Sequence, residues 1–156
     1  MSQTIKNLEA AFAGESMVNR KYLYFAKHAR RLGAENVAQI FEATAEQETK
    51  HAHGHLELLF PPDSLSVETM LQLAIDGETY EYTTMYPEFR NTAMLEGNQA
   101  AVNEMDEQIE ESKEHAELFS RLLLLKAEKR FAALAKVEQR HAQHYQATLD
   151  NLKSNP

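Results

Sequence analysis

The sequence predicts an all-α protein built from four long helical segments. Three observations carry this. Among 156 residues there are only 5 Gly and 4 Pro. The plausible breaks are confined to Arg31-Leu32-Gly33-Ala34, Phe60-Pro61-Pro62-Asp63-Ser64 and Glu96-Gly97-Asn98, where turn-forming residues cluster. Between those breaks apolar residues recur at three- and four-residue intervals, the period of a helix with one buried face.

Residues 4–31 place Ile5, Leu8, Phe12, Glu15, Tyr22, Phe25 and Ala29 on one stripe, and residues 36–59 do the same with Val37, Ile40, Phe41, Ala45, Leu56 and Leu59. Ser66, followed by Val67-Glu68-Thr69, reads as an N-cap with an acid in the first turn. It opens a third segment to about Leu95, which Pro87 should interrupt locally. From Gln99 to Leu152 there is no Gly or Pro, and a stripe runs from Val102 through Met105, Ile109, Ser112 and Ala116 to Tyr145, Leu149 and Leu152. One straight helix of that length would extend ~80 Å, far beyond a small domain. A bend near Leu122–Arg130, or a partner chain to lie against, is therefore expected. The run Leu122–Leu125 reads as a buried helix interface.

Residues 1–156 read as a single domain. Sixteen Lys and Arg against 24 Asp and Glu leave −8 with histidines neutral, which repels nucleic acid and anionic membrane alike. With no Cys, a disulfide framework, a thiol nucleophile, a zinc ribbon and a Cys-ligated iron–sulfur centre are excluded. Any metal must sit on Glu, Asp and His. The start MSQTIKNLEAAFAGES lacks a basic-then-apolar leader, and no run approaches the ~20 apolar residues that cross a bilayer. A cytoplasmic protein is expected.

Several charged residues interrupt apolar stripes, where an unpaired charge is costly. Glu48-Thr-Lys-His51 and Glu138-Gln-Arg-His141 are both Glu-x-x-His, and i,i+3 side chains share one helix face. Each pair can clasp a metal. Glu78-Thr-Tyr-Glu81 is a third such pair, and Glu15 stands alone inside AFAGESM. Helix bundles that hold two iron or manganese ions use one Glu from each of two helices and a Glu-x-x-His from each of the other two. The chain supplies that inventory and one further Glu.

These segments, AFAGESMVNRKYLYFAK, IFEATAEQETKHAHGHL, GETYEYTTMYPEF and FAALAKVEQRHAQHY, resemble the ferritin-like di-iron domain of the rubrerythrins, especially the short erythrins that lack a rubredoxin module. The resemblance implies a ferritin-like four-helix bundle with an extended or duplicated fourth-helix segment, holding two irons, or manganese or a mixed pair. It implies that Glu48 and Glu138 bridge the metals, that Glu15 is terminal on one, and that Glu78 and His141 are terminal on the other. Glu81 and His51 become the alternative ligands between which the first iron moves on changing oxidation state, and Tyr22 and Tyr86 match tyrosines that flank the metals. The implied activity is reduction of hydrogen peroxide, with electrons from an external donor, a rubredoxin-like protein or a flavoprotein. A different class of function is a ferroxidase, oxidase or iron or manganese reservoir that works with dioxygen. A third is a helical interaction protein with a relict site.

Spacing adds two expectations. In a helical hairpin, residues at one height are equidistant from the turn: Glu15 and Glu48 from Leu32-Gly33, and Glu48 and Glu78 from Asp63. The turn at Gly97, however, pairs Glu81 with Ser112, so the ordinary fourth-helix position falls on Ser112-Lys-Glu-His115. EESKEHAELF and KVEQRHAQHY read as two copies of one segment, the first without its carboxylate. The second copy, with Glu138 and His141, is expected to provide the ligands, while His115 is open between a vestigial ligand and an ordinary polar contact. The break at Phe60–Ser66 reaches at most ~25 Å extended, too short to return along a bundle over ~30 Å long. A helix-exchanged homodimer follows, in which Glu78 and Glu81 complete a site begun by Glu15, Glu48 and His51 of the partner. His28, His53, His55 and His144 read as surface residues. Tyr80, Tyr82 and Tyr145 read as core packing.

Overall fold

A computed structural model describes residues 2–154, and these are all-α. Contacts divide the chain between Leu65 and Ser66 into two units, each a helical hairpin.

In the first hairpin, α1 (Gln3–Arg31) and α2 (Glu35–Leu59) match the two expected segments. The Ser2 hydroxyl caps α1 by accepting from the Ile5 N–H at 3.3 Å, filling one of the donors that a helix start leaves unpaired. The reversal depends on Gly33, whose φ of 77° is open to glycine at little cost. It lets the Gly33 and Ala34 N–H groups donate to the carbonyls of Arg30 and Ala29, both at 3.0 Å. A seam of small residues then joins the helices: Ala38, Ala45 and Ala52 recur every seventh residue of α2 and are buried, as are Asn19, Ala26 and Ala29 of α1. Small side chains let the helix backbones approach. Asn19 is satisfied inside this seam, donating to the Ala45 carbonyl at 2.6 Å and to the Thr49 hydroxyl oxygen at 2.8 Å. Near the turn, Phe41 packs against Tyr22 and Phe25 with ring centroids 5.5 and 5.7 Å apart, and Arg30 pairs with Glu35 and Glu42. A single 3₁₀ turn, Pro62–Ser64, follows.

The second hairpin opens with α3 (Val67–Tyr80), capped by the Ser66 hydroxyl, which accepts from the Thr69 N–H at 3.0 Å. The expected interruption takes the form of a π-helical turn, Glu81–Met85, before α4 (Tyr86–Leu95). Pro87 has no N–H to offer the preceding turn, and the wider turn re-pairs the backbone, the Tyr86 N–H reaching the Glu81 carbonyl. One extra residue in a turn rotates what precedes it, so this turn sets the direction of Glu78 and Glu81. Gly97, with φ 69°, and Asn98, whose side chain accepts from the Ala101 N–H at 3.1 Å, reverse the chain into α5. Arg90 pairs with Asp106 across the hairpin.

α5 runs unbroken from Gln99 to Ser154, about 84 Å at ~1.5 Å per residue. No break occurs at 122–130. In the single chain Leu122, Leu124 and Leu125 are exposed and Leu123 is half-buried, since α3 begins level with that point, Lys126 standing beside Glu68. Tyr80 and Tyr145 are likewise exposed rather than packed. No helix among the described residues is long and apolar enough to cross a membrane.

Candidate metal centre

The first hairpin brings together Glu15 of α1 with Glu48 and His51 of α2, as equidistance from Leu32-Gly33 requires. One ligand atom from each lies within 4.8 Å of the others. His51 Nδ1 is 2.9 Å from Glu48 Oε2. The Glu48 side chain is 17% exposed and that of His51 59%, so the carboxylate is sheltered while the imidazole stands at the rim. The two carboxyls share a hydrogen bond. It holds Glu15 above the usual carboxylate range, a shift that burial and the repulsion of Glu48 reinforce. The same bond, and then that with His51, holds Glu48 below it. Two adjacent carboxyls cannot both ionise cheaply, and a cation between them would neutralise both. Two carboxylate oxygens and an imidazole nitrogen form a donor set suited to iron or manganese, so the residues present fit such a metal.

His55, read from the sequence as a surface residue, is half-buried, and its charge is felt at Glu15. Its position four residues after His51, on the same helix face, was the available signal. His53 is exposed and lines an open apolar hollow with Leu56, Phe60, Pro62 and Leu65.

The second hairpin assembles a second group from Glu78 of α3, Glu81 of the π-helical turn, and Ser112 and His115 of α5. Ser112 Oγ donates to Glu81 Oε2 at 3.0 Å, and His115 Nδ1 stands 3.5 Å from Glu78 Oε2. Ser112 is 4% exposed. Within this hairpin Ser112 and His115 stand opposite Glu81 and Glu78, as the spacing about Gly97 requires. The turn at Gly97 sets the register, and α5 does not fold back. Glu138 and His141 lie 3.7 Å from each other with side chains 75% and 57% exposed. Ser112 is about 39 Å away along the same helix at ~1.5 Å per residue.

Of the two flanking tyrosines, Tyr22 is half-buried on α1, seven residues beyond Glu15 on the same face, and packs on Phe41. Tyr86 lies in the field of the second group: burial first, and then the negative charges of Glu81, Glu78 and Glu104, push its phenol above the ordinary value. Its hydroxyl therefore keeps its proton. Glu104, which the sequence did not single out, faces this tyrosine from α5.

Residues 6–123 match the rubrerythrin family model. The chain is 37% identical over 115 residues to nigerythrin of Nitratidesulfovibrio vulgaris, covering 66% of this chain and 57% of that protein. It is 32% identical over 143 residues to a putative rubrerythrin of Methanocaldococcus jannaschii, covering 79% and 70%, and 41% identical over 107 residues to rubrerythrin of Porphyromonas gingivalis, covering 62% and 54%. The alignments thus span little more than half the length of nigerythrin and of the P. gingivalis protein. A solved structure of fully reduced, all-ferrous nigerythrin aligns with 79% of this chain and 67% of its own at 34% identity, with a TM-score of 0.39. The family match covers both carboxylate–histidine groups and stops short of the last thirty or so residues of α5. The chain belongs to the rubrerythrin family.

Proposed function

We propose that the chain is a di-iron peroxidase that reduces hydrogen peroxide to water with electrons from an external donor. The observation that carries this reading is the Glu15–Glu48–His51 cluster, three ligand atoms within 4.8 Å of one another. These residues would hold one iron, with Glu81 as the alternative to His51 on it. Glu78 would hold the other with His115, or with Glu138 and His141 of another copy. Two bound irons would supply the electron pair that, with two protons, splits the O–O bond of peroxide into two waters. The protein's part is to place charges and protons around them. Glu15 holds a proton at its carboxyl that a cation would displace. His51, largely exposed, is free to swing, while Glu81 is steadied by the Ser112 hydroxyl, so the two can exchange as alternative ligands. Tyr86 keeps its hydroxyl proton available as a hydrogen-bond donor beside Glu81 and Glu78. The 156 residues include no Cys to ligate a rubredoxin-type iron, and an external rubredoxin-like protein or flavoprotein is the proposed electron source.

The short connection after α2 supports assembly across chains. Part of Phe60–Ser66 is coiled into the 3₁₀ turn Pro62–Ser64, which shortens its reach further. The first hairpin of one copy would meet the second hairpin of its partner in a helix-exchanged homodimer; a strictly monomeric, fully metallated protein in sedimentation would refute this. The activity is tested by stopped-flow oxidation of anaerobic, ferrous-loaded protein. Much faster oxidation by hydrogen peroxide than by dioxygen is expected. Equal or faster reaction with dioxygen would move the assignment to ferroxidase or oxidase chemistry.

A further inference from the structure

α5 carries more chain than its own hairpin uses. Lys126 faces Glu68, with Nζ 3.7 Å from Oε1, where the second hairpin ends. Beyond Val137 every described residue is exposed, and this includes the apolar side chains Tyr145, Leu149 and Leu152. Charge divides at the same place. Residues 99–123 carry seven acids and two bases, whereas residues 124–154 carry six bases and three acids. Two such helices side by side in parallel would set acid against acid. Antiparallel, each basic tail lies along an acidic head.

The apolar stripe has the same symmetry. About Leu125, the stripe positions of the head and of the tail are mirror images: Leu123 is matched by Ala127, Phe119 by Phe131, Ala116 by Leu134, and Ser112 by Glu138. Ser112 and Ala116 are themselves buried within the hairpin, so the open contact runs through the Leu123–Ala127 and Phe119–Phe131 layers, and Ser112 marks the level that Glu138 reaches. The hairpin leaves part of the head stripe open, with Met105, Ile109, Phe119 and Leu123 only half-buried.

We propose that α5 pairs antiparallel with α5 of a second copy about a two-fold axis at Leu125, which sets Glu138 of each copy level with Ser112 of the other. The chain's own Glu138 cannot reach that position, since the helix between is unbroken; a second copy's can. The fourth-helix position then regains, from the partner, the carboxylate that Ser112 lacks. The pairing stands on charge and register alone, while the role it gives Glu138 rests on the metal-binding reading above.

The absence of Cys makes the pairing directly measurable. Lys136→Cys and Gln143→Cys, each labelled with a nitroxide in metal-free full-length protein, should give inter-chain distances of about 35 Å and about 55 Å at ~1.5 Å per residue. Equal short distances at both sites would mean parallel pairing and overturn the proposal, as would the lack of any inter-chain distance. Glu138→Gln should leave both distances unchanged and weaken ferrous iron binding by about tenfold or more. Unchanged iron affinity would overturn the role of Glu138. Because the distances are read without metal, failure of the pairing and failure of the peroxidase reading are separable.

Discussion

At the scale of single residues, polar groups placed inside the helix seams have the largest effects. Asn19 is buried and bonded to Ala45 and Thr49, so Asn19→Ala removes both buried bonds between the helices and should cost about 1–3 kcal/mol, read from urea unfolding. Glu15 behaves in the opposite sense. Its pKa is raised in the folded chain, so its contribution is favourable at low pH and lost as pH rises through the folded value. Glu15→Gln should accordingly raise the melting temperature of the metal-free protein at neutral pH while weakening ferrous iron binding; a gain in both would contradict the ligand role. Glu48 with His51, and Glu15, were legible in the sequence because a helix shows i,i+3 pairs and odd charges directly. The Ser112–Glu81 hydrogen bond was legible only as a register, since its geometry depends on the π-helical turn. The other signal, an intact Glu138–His141 motif, is a matter of residue types alone, and the continuous helix carries it out of reach of the same chain's second hairpin.

At the scale of elements, small side chains and two glycine reversals decide how the helices meet. Ala38 is 0% exposed, and Ala38→Leu should separate α1 from α2 at a cost of about 1–3 kcal/mol. A core of alanine is weakly signalled in a sequence, because the apolar stripe draws attention to Phe and Leu, many of which are exposed here. Each hairpin is also held by an arginine bridge whose acid sits below its ordinary range, Glu42 beside Arg30 and Asp106 beside Arg90. The stability these acids contribute is present above their ordinary values of 4.5 and 3.8 and is lost as pH falls through the lower folded ones. A thermal melt series descending from pH 5 should show a fall that is smaller in Glu42→Gln, and an identical fall in that variant would contradict the assignment. The turns between helices were plain in the sequence, since Gly33, Ser66 and Gly97 are strong local signals. The continuity of α5 was not, because periodicity persists equally through one helix or two.

At the scale of the whole molecule, the chain distributes its carboxylate–histidine ligands over two hairpins and adds an arm of opposite charge. Neither hairpin contains a full di-iron set, which makes metal content and assembly linked quantities. Binding iron at Glu15 and Glu48 displaces the proton they share, so affinity should rise with pH across the range in which Glu15 titrates. The most direct measurement is an anaerobic ferrous titration by calorimetry of the wild-type protein and of Glu48→Ala. The account predicts two ferrous ions per chain with proton release for the wild type, and loss of tight binding when Glu48 is removed. Wild-type protein that takes up no iron, or a Glu48→Ala variant that binds it unchanged, would contradict it.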